Sequence, residues 1–133
     1  AVCQVGCVVR GLAATASGGF AQVGNDGVVR LWSGAAKLEA KAVSVDSYLF
    51  CVSVSSVSSV SDAEVITGGD DGIVRVWVRN DSVLTCIQAI PTPAETWHLA
   101  TLPRGGLICA TDDAGAVLLT REPSKAAPPA LLR

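Results

Sequence analysis

Basic charge, histidine and paired cysteine are what this chain has least of. Ten Lys and Arg stand against twelve Asp and Glu, a net charge of −2, so nothing draws the chain in bulk to a polyanion. Nucleic acid and membrane surface are therefore excluded as first expectations. No apolar run reaches the roughly 18 residues that a bilayer-spanning helix requires. His98 is the single histidine and has no nearby Cys, Ser or acid arranged as a nucleophile or ligand set. It reads as a core or channel-lining residue rather than a catalytic base. The five cysteines, Cys3, Cys7, Cys51, Cys86 and Cys109, are odd in number and include no C-x-x-C pair. They read as buried thiols of a reducing compartment, not as a disulfide or metal framework. No serine lies in a G-x-S-x-G context, and Gly18-Gly19 and Gly68-Gly69 lack the spacing and the following helix of a phosphate cradle. Neither an enzyme nor a cofactor is expected.

What is present is a repeat. Gly68 to Trp77 reads G-G-D-D-G-I-V-R-V-W, and Gly24 to Trp32 reads G-N-D-G-V-V-R-L-W. Asp26, Gly27, Val29, Arg30 and Trp32 match Asp71, Gly72, Val74, Arg75 and Trp77 one for one, at a spacing inside the roughly 20–50-residue window of repeat architectures. A worn third copy runs from Thr111 to Leu119, with Asp113 as its acid, Ala114 in place of Gly and Leu119 in place of Trp. In each unit Asp-Gly supplies a tight turn, since Gly takes a positive φ without steric penalty and Asp can bond local amides. The strand that follows lacks clean alternation, as expected of an inner strand covered on both faces. Its arginine would lay its methylenes along apolar surface and stack its guanidinium on a ring. This is the WD-repeat signature, a four-stranded propeller blade of about 40–45 residues.

The expected fold is all-β: a WD40 propeller segment of about three four-stranded antiparallel blades over residues 1–122, at about 7–43, 44–90 and 91–122. Propellers close with roughly four to eight blades, so three cannot close a ring alone. The expectation is a segment of a longer protein, with a split propeller completed by a second chain as the alternative. The expected strands are Val8–Ala14, Phe20–Gly24, Val28–Trp32 and Leu38–Val43, then Tyr48–Val54, Glu64–Thr67, Ile73–Val78 and Val83–Ile90. The third copy supplies Thr96–Leu102, Leu107–Thr111 and Ala116–Thr120. In the first outer strand Lys37, Glu39 and Lys41 alternate with Leu38, Ala40 and Ala42, a half-exposed edge pattern. The serine-rich S-S-V-S-S-V-S-D stretch reads as a loop insertion, and 123–133 as a Pro/Ala-rich linker.

Asp70-Asp71 and Asp112-Asp113 resemble paired carboxylates of a hydrolase or a Mg²⁺ site. They sit in the repeated turn, however, and a catalytic site has no reason to recur in each blade. Thr67, Asp71 and Trp77 instead fit the hydrogen-bonded set of WD blades, although Val45 occupies the histidine position and Gln22 stands where the first copy would have Thr. Aligning the copies places Arg10, Phe50 and Trp97 at one equivalent position, just after the loop that opens on one rim. Large amphipathic side chains of this kind carry much of the energy of protein interfaces. Ordinary packing between blades is the other reading of these three residues.

V-R-G-L-A at Val9 to Ala13, the two signature strands, and C-I-Q-A-I-P-T-P-A-E-T-W followed by L-P-R-G-G-L-I-C-A-T-D-D at Cys86 to Asp113 resemble consecutive blades of the phospholipase A-2-activating protein family. Pro93, Ala94 and Trp97 match that family's Pro-Ala to Trp passage, and Gly106 stands where Asp is usual. The resemblance covers about residues 7 to 122. It implies the later part of a propeller that binds ubiquitin through a small apolar patch and acts as an adaptor in ubiquitin homeostasis and degradation. In that family, domains beyond the propeller recruit a AAA segregase ATPase of the valosin-containing type. The implied location is the cytoplasm, with the nucleus as a second compartment, and the rim near Arg10, Phe50 and Trp97 is the expected ubiquitin surface. A generic WD40 scaffold with no ubiquitin role is the alternative.

Overall fold

A computed structural model describes residues 2, 4–55, 64–102, 106–111 and 115–119 of the chain. Asp113, most of the serine-rich stretch, residues 103–105, Thr120 and the 123–133 segment lie outside the described residues, as does Cys3. All the regular structure described is β: β1 (Val9–Ala14), β2 (Phe20–Gly24), β3 (Arg30–Trp32), β4 (Leu38–Lys41), β5 (Leu49–Ser55), β6 (Glu64–Gly69), β7 (Ile73–Asn80), β8 (Val83–Pro91), β9 (Thr96–Thr101), β10 (Leu107–Thr111) and β11 (Gly115–Leu119). Consecutive strands pair antiparallel within each repeat. The result is a blade β1–β4, a blade β5–β8 and, among the described residues, three strands of a third, β9–β11.

The turns explain why the pattern repeats. Gly27 and Gly72 hold φ of 69° and 68°, a left-handed conformation in which a Cβ would crowd the following carbonyl. A Cβ on Gly69 would lie 2.1 Å from the Tyr48 carbonyl oxygen, where the innermost strand crosses the second. Asp26 and Asp71 accept from the amides of Val28 and Ile73 at 3.2 and 3.1 Å, closing each turn on itself.

Blades then stack face to face. β5 packs on β1 and β2, and β9 packs on β5 and β6. Ala21, Val23, Val29, Ala40, Leu49, Val52, Val65 and Trp77 form the core between the first two blades. Ile66, Val74, Val76 and Leu107 form the core between the second and third. Val65 and Ile66 thus face opposite neighbours, as do Val76 and Trp77, and β6 and β7 are covered on both sides, as the lack of clean alternation implies.

Several expectations are corrected. The first signature strand begins at Arg30 rather than Val28. Leu38, expected inside, is half exposed, because a bulge at Glu39, between the Leu31↔Ala40 and Trp32↔Leu38 pairs, turns it onto the side of Trp32. β4 is not a plain outer edge: Lys41 pairs in parallel with Val83, joining the two blades into one eight-stranded sheet. Arg79 of the second blade also pairs with Glu39 of the first at 2.8 Å.

Candidate functional site

The innermost strands begin alike. In β1 the register shifts between Val9↔Gly24 and Gly11↔Val23, in β5 between Leu49↔Gly69 and Cys51↔Gly68, and in β9 between Thr111↔Thr96 and Ala110↔His98. The residue left over at each shift is Arg10, Phe50 or Trp97. All three are bulged residues, so the equivalence read from the sequence holds in the geometry. A bulge leaves its residue unpaired and re-aims its side chain out of the regular pleat.

The structure joins two of the three side chains. The rings of Phe50 and Trp97 stack with centroids 4.3 Å apart and planes within 2°, bridging the second and third blades. Packing between blades is thus part of what they do. Trp97 is nevertheless 41% exposed and Phe50 only partly buried, so the stack is open to solvent on its Trp97 side. Arg10 is exposed on the first blade, where its Nε donates to Asn25 Oδ1 at 2.9 Å.

The loops around this stack are held in place. The connections between blades pass over the Asp-Gly turns: the Val45 amide donates to the Gly27 carbonyl at 2.9 Å, and the Thr92 amide to the Gly72 carbonyl at 2.7 Å. Ser47 Oγ donates to the Asp70 carboxylate, and the Tyr48 amide to the same oxygen at 3.0 Å. Two clefts result, with Asp70 in both. One, of about 260 Å³, includes Asp46 and Tyr48, and the other, of about 370 Å³, includes Asp71, Pro93 and Glu95. The acidic character of this end escaped the sequence reading, because its carboxylates come from separate connections and turns.

The WD residues form two pairs per blade rather than one connected set. Trp77 Nε1 donates to Thr67 Oγ1 at 2.9 Å. Asp71 turns instead to Arg75 at 2.7 Å; without a histidine at Val45, no hydrogen bond among the described residues links that carboxylate to Thr67. In the first blade Trp32 Nε1 reaches Gln22 Oε1 at 3.4 Å, and Asp26 pairs with Arg30 at 2.7 Å. Where ring stacking was expected of the arginines, ion pairs carry their charge. Burial works against the Asp26 carboxylate, but the Arg30 hydrogen bond and charge, with the Val28 amide, outweigh it and hold its carboxyl below 3.8. These residues build the scaffold beneath the rim.

His98 is exposed on the innermost strand, not in the core. Among the described residues no three His, Cys, Asp or Glu side chains group as a metal site. Cys51 and Cys109 are buried, whereas Cys7 and Cys86 are only partly so. Burial pushes the Cys51 thiol up to about 12.

One face of the first blade has no blade against it among the described residues. Leu12 pairs with Gln22 as Val52 pairs with Thr67, yet Val52 is 9% exposed and Leu12 64%. On that face Phe20 and Trp32 stack on each other with centroids 6.3 Å apart.

No family model matches the chain. Ubiquitin homeostasis protein lub1 of Schizosaccharomyces pombe, of the phospholipase A-2-activating protein family, is 27% identical over 118 residues, which are 87% of this chain and 15% of that protein. The WD40 β-propeller domain of Doa1 superposes with a TM-score of 0.71 at 24% identity, over 88% of this chain and 38% of that one. BBS1N, solved in complex with ARL6DN, superposes with a TM-score of 0.69 at 17% identity, over 86% and 34%. The chain thus spans well under half the length of each. It is a WD40 propeller segment, similar in sequence to lub1 and in fold to Doa1.

Proposed function

We propose that this segment is a non-catalytic interaction module that binds ubiquitin, serving as an adaptor in ubiquitin homeostasis and the turnover of ubiquitinated proteins. The observation that carries the reading is the coplanar Phe50–Trp97 stack, set at bulge positions with Trp97 open to solvent. An aromatic pair of this kind is a rigid apolar anchor with little side-chain entropy left to lose, the property that makes Trp frequent at interface hot spots. Similarity to a protein named for ubiquitin homeostasis supplies the partner. Any link to a AAA ATPase would run through parts of a longer protein.

The test is an NMR titration of isotopically labelled ubiquitin with the full chain, after circular dichroism has established that it is folded. Shifts confined to one patch of ubiquitin support the reading. An unperturbed ubiquitin spectrum at high protein concentration would leave a WD40 scaffold with some other partner.

A further inference from the structure

The charge around the aromatic stack narrows what can dock there. Asp26 and Asp71 are neutralised by Arg30 and Arg75 at 2.7 Å. Asp46, Asp70 and Glu95 have no basic partner among the described residues, and they stand in the segments that lead into β5, the β6–β7 turn and β9. Asp70 lines both clefts, with Asp46 in one and Glu95 in the other. Apart from Arg30 and Arg75, the cation set near these three negative charges among the described residues is Arg10, already engaged by Asn25. Phe50 lies two residues beyond Tyr48, whose amide bonds Asp70, and Trp97 lies two beyond Glu95. Each stacked residue therefore follows, by two positions, a connection that lines one of the acidic clefts.

We infer that the surface of Phe50, Trp97, Asp46, Asp70 and Glu95 takes a partner protein whose apolar patch is bordered by lysine or arginine. The inference rests on the reading of this rim as a ubiquitin-binding surface and adds what that surface selects. An apolar patch bordered by acids would meet like charge at three positions, which repels the wrong partner and slows encounter. A basic border gains from all three, and carboxylates that are exposed, as Asp46 and Asp70 are, or half-buried, as Glu95 is, can supply that gain without the penalty of a fully buried charge.

The experiment is the affinity of ubiquitin for the full chain between low and high ionic strength, with Asp46→Asn and Glu95→Gln beside the unaltered protein. Asp81→Asn is the control: it removes a charge from the β7–β8 turn at the far end of β7 while keeping a side chain tolerant of its φ of 54°. Each rim substitution is expected to weaken binding about two- to fivefold at low salt. That difference should shrink once the Debye length falls to about 3 Å near 1 M salt, and Asp81→Asn should change nothing. Binding that is insensitive to salt and to both rim substitutions overturns this inference and leaves the ubiquitin reading standing. Binding that the Asp81 control weakens as much as the rim pair overturns it too, because the effect would then be one of net charge. Absence of any ubiquitin binding, in any salt, overturns both.

Discussion

Replacing Val52 by Ala, beside Leu12 by Ala, tests the stacking of the blades where the repeat makes the comparison cleanest. The two residues hold the same place in their blades, opposite Thr67 and Gln22. Val52 is 9% exposed, in the core between blades, and Leu12 is 64% exposed. Val52→Ala deletes two methyl groups, at about 0.8 kcal/mol per buried group of that size. The cavity left behind and the lower strand preference of Ala bring the loss to about 2 kcal/mol. For a chain of this length that corresponds to a fall in Tm of roughly 6–12 °C. Leu12→Ala removes more atoms, yet from a surface position it should cost no more than about 0.5 kcal/mol. Thermal melts followed by circular dichroism give both values. Equal losses would refute the reasoning, since the face carrying Leu12 would then be as covered as the face carrying Val52.

Asp71→Asn should cost more stability than Asp26→Asn, about 2–3 against 1–2 kcal/mol by denaturant titration, because the stranded Arg75 is 4% exposed and Arg30 16%. Asp26, with its carboxyl held below 3.8, contributes stability that is complete above that value and is lost as pH falls through the folded-state pKa. Asp26→Asn should therefore flatten the acid limb of a stability–pH profile. Cys51 has the opposite sign. Its thiol rises from 9.0 to about 12, so its contribution is complete below pH 9 and is lost as pH rises towards 12. In the native protein at pH 8, iodoacetamide should modify the buried Cys51 and Cys109 after the less buried Cys7.

Much of the fold is legible because each unit states its own punctuation. Asp-Gly fixes the turn in both copies and β-branched residues fill the strands of the second, so strand boundaries follow to within a residue or two. The bulges at Arg10, Phe50 and Trp97 leave no composition signal, but alignment of the copies brings those residues together without one. Leu38 was misplaced because a bulge reverses the facing of every residue beyond it, and a period-two pattern cannot register that shift. The pairing of Asp71 with Arg75 was hidden by the expectation of a histidine-linked set that this chain lacks. Asp46 and Glu95 were missed, and Asp70 was seen only as a turn acid, because no motif joins the three; only the stacking of blades brings two connections and a turn to one rim. The contrast between Leu12 and Val52 was equally out of reach, since exposure there depends on the neighbouring blade and not on the strand.

The most direct measurement is the affinity of ubiquitin for the unaltered chain and for Trp97→Ala, each shown by circular dichroism to keep its sheet content. Loss of half of the Phe50–Trp97 platform should weaken binding by about tenfold or more. An affinity unchanged in a folded Trp97→Ala protein would contradict the account, and would move any ubiquitin contact away from this rim.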